Sequence, residues 1–296
     1  MDIDSVGQSV VSRLKNRSIR ENTPLHLLLQ LFAQEEFLRR LSHHRTADHF
    51  ILKGGMLIYA LSSYTSRPTH DLDFLAHNIA GDLDNLVSIF TEICNTPSPN
   101  SFVDMAIRKA QPIAIAKDYP GTRLKLVSTI NRVTIPFSID IGLGDPIVPD
   151  SQIVTLQPQL PDFVGPTVRA YSLYSSVAEK LDAIATRMEL TSRMKDFYDI
   201  WFLAHSYSFQ ANILRDAITA TMNARHHSLP EQLWERLGAM PTNNHIANLW
   251  KRFSATIDTD LSFDQAISTM VAFLRPITCT PIIPTTIWSP GTLQWS

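Results

Sequence analysis

Asp71-Leu72-Asp73, in the stretch RPTHDLDF, sets two carboxylates either side of a leucine. On a β-strand, alternation sends both acids to one face and Leu72 and Phe74 to the other. Two acids a few ångströms apart repel and raise each other's pKa unless a cation lies between them. Paired carboxylate oxygens suit Mg2+, which takes one or two of them together with substrate phosphates. A solvated pair on an edge strand has the same spacing, so the pattern gains weight only from its neighbours. Gly54-Gly55, in KGGMLIYAL, is one of them. Glycines just ahead of an apolar helix let the backbone approach a ligand, and the N–H groups and dipole of the helix start favour a phosphate. A tight turn before a packed helix is the plainer reading. The third piece is Asp140 in PFSIDIGLGD, an acid inside an apolar strand-like run. Such an acid is disfavoured by propensity and costly if buried alone, and a metal shared with Asp71 and Asp73 would account for it. Asp145, between Gly144 and Pro146, reads as a turn residue.

These residues need elements to hold them. The chain of 296 residues is long enough for two domains, at about 100 to 200 residues each. Its 44% hydrophobic and 18% charged residues predict a folded protein rather than a disordered one. The net charge of −2 excludes a globally basic nucleic-acid binder, so any such contact must use a local patch. Cys94 and Cys279 alone allow neither a disulfide framework nor a cysteine zinc site, which fits a reducing cytoplasm. No secretory leader or membrane-length apolar run is visible, so a cytoplasmic protein with no membrane partner is expected.

Thr23-Pro24 predicts a helix start, with the hydroxyl as cap and Leu25, Leu28, Leu29, Phe32, Phe37 and Leu41 as the apolar stripe. Arg39, Arg40, His43, His44 and Arg45 close that helix, where positive charge complements the dipole, with RNA contact as the other use. Ile79 to Cys94 predicts a second amphipathic helix. From Phe102 to Ile141 the runs FVDMAI, PIAIA, RLKLVSTI and RVTIPFSIDI predict strands, with Asn131 at the turn of an antiparallel hairpin. Pro146, Pro149, Pro158, Pro161 and Pro166 mark a long connection. Helical periods follow over Ser172–Met188, Arg193–His205 and Gln210–Ala224, then near Asn243–Phe253 and Phe263–Leu274. The expected architecture is α+β: a lobe with a small mixed sheet flanked by helices over 1–160, an all-helical lobe over 161–275, and a tail over 276–296.

The order Gly-Gly at a helix start, Asp-x-Asp on a strand, then a lone Asp on a later strand resembles the nucleotidyltransferase superfamily typified by DNA polymerase β. With EKLDAIATRMELTSRMKDFYDIWFLA, from Glu179 to Ala204, the chain resembles the AbiEii/AbiGii toxin family of nucleotidyltransferases. The resemblance covers most of Lys53 to Ala204. It implies a two-lobed enzyme with its site in the cleft, transferring a nucleoside monophosphate from an NTP to an acceptor hydroxyl. By resemblance, Lys53, Gly54, Gly55 and Thr69 hold the nucleotide. Asp71 and Asp73, joined by Asp140, hold two Mg2+ ions. Lys180 matches the family's active-site lysine, Asp196 its late catalytic acid, with Asp199 as the competitor, and Arg193 adds charge for the nucleotide. Asp140 and Asp196 both stay open as the general base. The family further implies RNA as acceptor, the tRNA 3′ end first, a block of translation, and a cognate antitoxin. A small-molecule acceptor, or an inactive nucleotide-binding partner of an antitoxin, are the alternatives.

Read without the family, Lys180 flanks the apolar stripe of its helix and could reach inward or snorkel to solvent. Asp196 and Asp199, three apart, share a helical face and could simply cap it. His70-Asp71 also invites the His-Asp pair of metal phosphohydrolases, but a strand with a second acid suits that site badly. His226-His227 reads as a polar helix end.

Overall fold

The computed structural model describes residues 3–116, 119–279 and 283–296. The chain forms two compact units, Met1–Gly144 with Gln152–Ala170, and Asp145–Ser151 with Tyr171–Ser296.

The first unit opens on α1 (Ile3–Glu21) and α2 (Leu25–Ser42). The polar sequence of α1 gave no apolar stripe to read, and only a few of its side chains, Val10 and Leu14 among them, are buried. Helix α2 starts one residue after Pro24, but Thr23 does not cap it; the Thr23 hydroxyl donates to the Glu21 carbonyl at 3.3 Å. Every residue from Leu27 to Leu41 is buried, the charged ones included. Glu36, with no exposed surface, accepts from Arg39 Nη1 at 3.0 Å and Arg40 Nε at 3.3 Å. Arg40 also donates to the carbonyls of Cys94 and Val103. Arg39 and Arg40 are therefore internal struts, and the RNA-contact reading falls away for them.

A seven-stranded sheet follows in the order β3-β4-β5-β2-β1-β7-β6. Its strands and intervening helices are β1 (Phe50–Lys53), α3 (Gly54–Leu61), β2 (Asp71–Ala76), α4 (Leu83–Cys94), β3 (Val103–Ala116), β4 (Tyr119–Ile130), β5 (Val133–Leu143), β6 (Gln152–Thr155) and β7 (Thr167–Ala170). The β2–β5 and β1–β7 pairs are parallel and the rest antiparallel. The predicted runs FVDMAI and PIAIA join into the single long β3, with a register shift between Ile107 and Lys109. Asn131, at φ 55°, makes the β4–β5 turn in the left-handed region that asparagine tolerates. Helix α4 begins at Leu83, later than Ile79, because the Asp82 carboxylate caps it by accepting from Asn85 N at 3.1 Å. On the covered face, Phe74 of β2 meets Phe37 of α2, Phe50 of β1 and Phe90 of α4 in one aromatic cluster. That packing fixes the opposite face of β2 as the one that carries its acids.

The second unit contains α5 (Leu173–Arg187), α6 (Met194–Ser206), β8 (Phe209–Gln210), α7 (Ala211–Ala224), α8 (Leu233–Ala239), α9 (Asn244–Thr256), α10 (Phe263–Cys279), β9 (Ile287–Ser289) and β10 (Gln294–Trp295). Beside its helices, the three short strands form a sheet in the order β10-β9-β8. The tail is thus packed: Trp288 is fully buried and donates to the Ala204 carbonyl at 2.7 Å, and Trp295 donates to the Phe273 carbonyl at 2.9 Å. Helix α10 runs past Leu274 with Pro276 inside it. Asp145 is buried and accepts from Arg225 Nη2 at 2.8 Å, so it is an interior ion-pair partner rather than a simple turn residue. Among the described residues, no helix is long and apolar enough to cross a membrane.

Candidate active site

Strand register assembles the acids. Asp73 on β2 lies opposite Lys53 on β1 and opposite Asp140 on β5, while Asp71 lies opposite Ser138. Asp140 in turn lies opposite Arg123 on β4. Residues directly opposite share a face, so Lys53, Asp73, Asp140 and Arg123 form one row across four strands. Asp71 and Asp73 are half-buried and alternate with the buried Leu72 and Phe74, as strand periodicity requires. The start of β2 is pinned from α2, where Gln34 Nε2 donates to the His70 carbonyl at 2.8 Å and Gln30 donates to the same oxygen.

Arg123 is one residue that sequence reasoning missed. Its guanidinium forks onto Asp140, and the hydrogen bond to Asp140, with the charges of Asp140, Asp71 and Asp73 adding, raises its pKa above the usual guanidinium value. The expected third metal ligand is therefore already engaged by a cation, and among the described residues no group of three or more His, Cys, Asp or Glu could hold a metal ion. Asp71 and Asp73 set two hard oxygen donors on one face of β2. That donor set fits Mg2+ completed by substrate oxygens, which needs only one or two protein carboxylates.

The glycine turn packs onto the same acids. Gly54 opens α3 at φ +71°, and a Cβ there would collide with the Asp73 carboxylate. A Cβ on Gly55 would stand 3.1 Å from Thr69 Oγ1 and 3.2 Å from Arg67 Nη2. Lys53 precedes the helix without a side-chain cap bond to it, which leaves the first N–H groups of α3 uncapped by that residue. Gly54, Gly55, Thr69 and Asp73 are thus brought together, with Arg67 as a further cation beside them. Its only sequence signal was its place directly before Pro68-Thr69. Met56 is buried in the core and offers the site no polar group.

In the helical unit, Lys180 of α5 is buried, and its Nζ contacts Asp196 Oδ1 at 3.3 Å and Asp199 Oδ2. Arg193 Nε reaches Asp196 Oδ2 at 2.5 Å. Burial would raise the Asp196 pKa, but Lys180 and Arg193 outweigh it and hold the carboxyl below its ordinary value. Lys180 therefore points inward, and Asp196 and Asp199 grip it rather than capping α6. His227 Nδ1 lies 2.7 Å from Asp182 Oδ1, a polar contact just beyond α7. A cavity of about 520 Å3 between α1 and the 158–161 segment shares no lining residue with the carboxylate row.

A family model described as nucleotidyl transferase AbiEii toxin, type IV TA system, matches residues 36–269. The chain is similar to a crystal structure from H. pylori described as a nucleotidyltransferase, at TM-score 0.51 and 14% identity, over 85% of this chain and 94% of that one. It is also similar to JHP933 from Helicobacter pylori, at TM-score 0.49 and 13% identity, over 85% of this chain and 91% of that one. At 14% identity the first of them speaks to the fold alone. Among curated proteins, none matches.

Proposed function

We propose, given that the chain belongs to the AbiEii nucleotidyltransferase toxin family, that it transfers a nucleoside monophosphate from an NTP to a terminal RNA hydroxyl, the tRNA 3′ end first, and thereby blocks translation. The acceptor oxygen attacks the α-phosphorus, the new P–O bond forms as the bond to pyrophosphate breaks, and the hydroxyl proton passes to a carboxylate. The observation that carries this reading is the packing of Gly54 onto Asp73 beside Asp71 and Asp140, which sets a phosphate-accepting turn against hard oxygen donors.

Asp71 and Asp73 would hold two Mg2+ ions, with Asp140 joining once Arg123 releases it. When bound, the ions neutralise phosphate charge and steady the leaving pyrophosphate. Lys53, Gly54, Gly55 and Thr69 orient the triphosphate, and Arg67 adds charge beside it. Lys180, kept ordered by Asp196 and Asp199, binds phosphate, with Arg193 in support. Asp140 and Asp196 both stand as candidate bases, since each carboxylate is engaged by a cation, Asp140 by Arg123 and Asp196 by Lys180 and Arg193. A cognate antitoxin is the expected protein partner.

The test is incubation of the purified chain with labelled NTPs, Mg2+ and total tRNA. Label on RNA that is lost in Asp71→Ala, with melting unchanged, is the expected result. Label only on small molecules would move the acceptor to another class. Transfer retained in Asp71→Ala would overturn the metal assignment.

A further inference from the structure

We propose that the open sheet face beside the carboxylates is a phosphate track for the single-stranded end of the RNA acceptor, with Lys109 and Lys125 as its contacts; this rests on RNA being the acceptor. Lys109 of β3 lies directly opposite Lys125 of β4, Lys125 opposite Ser138 of β5, and Ser138 opposite Asp71 of β2. Four neighbouring strands thus carry a row that runs from two lysines through a serine to the first metal-binding candidate. At about 4.8 Å per strand, Lys125 sits roughly 10 Å and Lys109 roughly 14 Å from Asp71 across the sheet.

Both lysines are exposed, and among the described residues neither makes an ion pair or a side-chain hydrogen bond. Like charges directly opposite on neighbouring strands destabilise a sheet. Lysine on an edge strand guards against edge-to-edge pairing, which explains Lys109 on β3. It does not explain Lys125, which sits on the inner strand β4. The register shift between Ile107 and Lys109 adds the exposed Arg108 beside the pair. The next row differs in kind, because there Arg123 is consumed by Asp140.

A polyanion relieves the lysine repulsion, and the row's direction selects which one. It leads to Asp71, where a reacting end must present a hydroxyl, and a single RNA strand has both that hydroxyl and phosphates trailing behind it. An acidic protein supplies charge but no such end. Contacts of this kind position the strand without reading its bases.

The experiment measures binding of a fluorescent single-stranded oligoribonucleotide to the full chain by anisotropy, between about 50 and 200 mM salt. The double variant Lys109→Ala/Lys125→Ala is expected to bind roughly tenfold more weakly and to lower the log–log salt slope by about 1.4, as loss of two phosphate contacts dictates. Binding of Mg2+-NTPs should hold, and Lys109→Arg/Lys125→Arg should restore RNA binding. If the wild type binds and labels RNA and the alanine variant matches it in affinity and slope, the track is wrong while the function stands. If the wild type neither binds nor labels RNA, both readings fall. Loss of binding to an acidic partner protein, with RNA binding intact, would assign this face to a protein and overturn the track.

Discussion

Arg123 closes a two-pronged bridge onto Asp140, Nε to Oδ1 at 2.6 Å and Nη2 to Oδ2 at 2.5 Å. The pair sits on adjacent antiparallel strands, and Asp140 is also the parallel-strand neighbour of Asp73. The guanidinium thus balances a row of acids that would otherwise repel one another, and it does so with the planar fork that matches a carboxylate best.

Removing that cation should free Asp140 for a metal. Arg123→Gln is expected to tighten Mn2+ binding to the nucleotide-free protein by roughly tenfold, or about 1.4 kcal/mol. Titration of the Mn2+ electron-spin signal reads this without any turnover. Unchanged affinity would mean that Asp140 does not join the metal site.

Gly54→Ala should damage the protein in two ways at once. Alanine is strained at φ +71°, and its Cβ would push on the Asp73 carboxylate. We expect a loss of more than about 1 kcal/mol in urea unfolding, together with weaker NTP binding. Gly238→Ala is the control, because a Cβ there meets nothing within 4 Å.

Local periodicity made part of this site readable. Alternation alone sends Asp71 and Asp73 to one side of β2, and Gly54-Gly55 announced a turn before an apolar helix. What the acids face was not readable, because the parallel β2–β5 pairing joins segments more than sixty residues apart, and the run RLKLVSTI shows Arg123 and Lys125 only as the polar side of some strand. Arg39 and Arg40 misled for the opposite reason. Their partners Glu35 and Glu36 stand three and four residues earlier in QEEFLRR, a helical ion-pair spacing visible in the sequence, but a charge beside a helix end suggested solvent. The tail escaped because strands of two or three residues show no period.

The buried charges of α2 carry a stability cost when broken. Glu36 serves Arg39, Arg40 and Asn100 Nδ2, the last at 2.6 Å. Glu36→Ala takes its carboxylate partner from the buried Arg40 and leaves Arg39 to Glu35, and is expected to cost about 3 to 5 kcal/mol in urea unfolding. Transfer activity per folded molecule should not change, which separates this effect from the site.

Asp196 links stability to acid pH. Its folded-state pKa lies below the ordinary 3.8, because Lys180 and Arg193 outweigh the opposing effect of burial. A depressed carboxylate stabilises the fold fully above its unfolded value and loses that contribution as pH falls through the folded one. Wild-type stability should therefore drop as pH is lowered below about 4, and Asp196→Asn should flatten that limb when melting is followed against pH. The same variant leaves Lys180 to Asp199 alone, at a neutral-pH cost of up to about 3 to 5 kcal/mol for the broken buried pair. If Asp196 acts by ordering Lys180, the folded variant should show its loss chiefly in KM for the NTP. A loss confined to kcat would instead assign Asp196 the role of base.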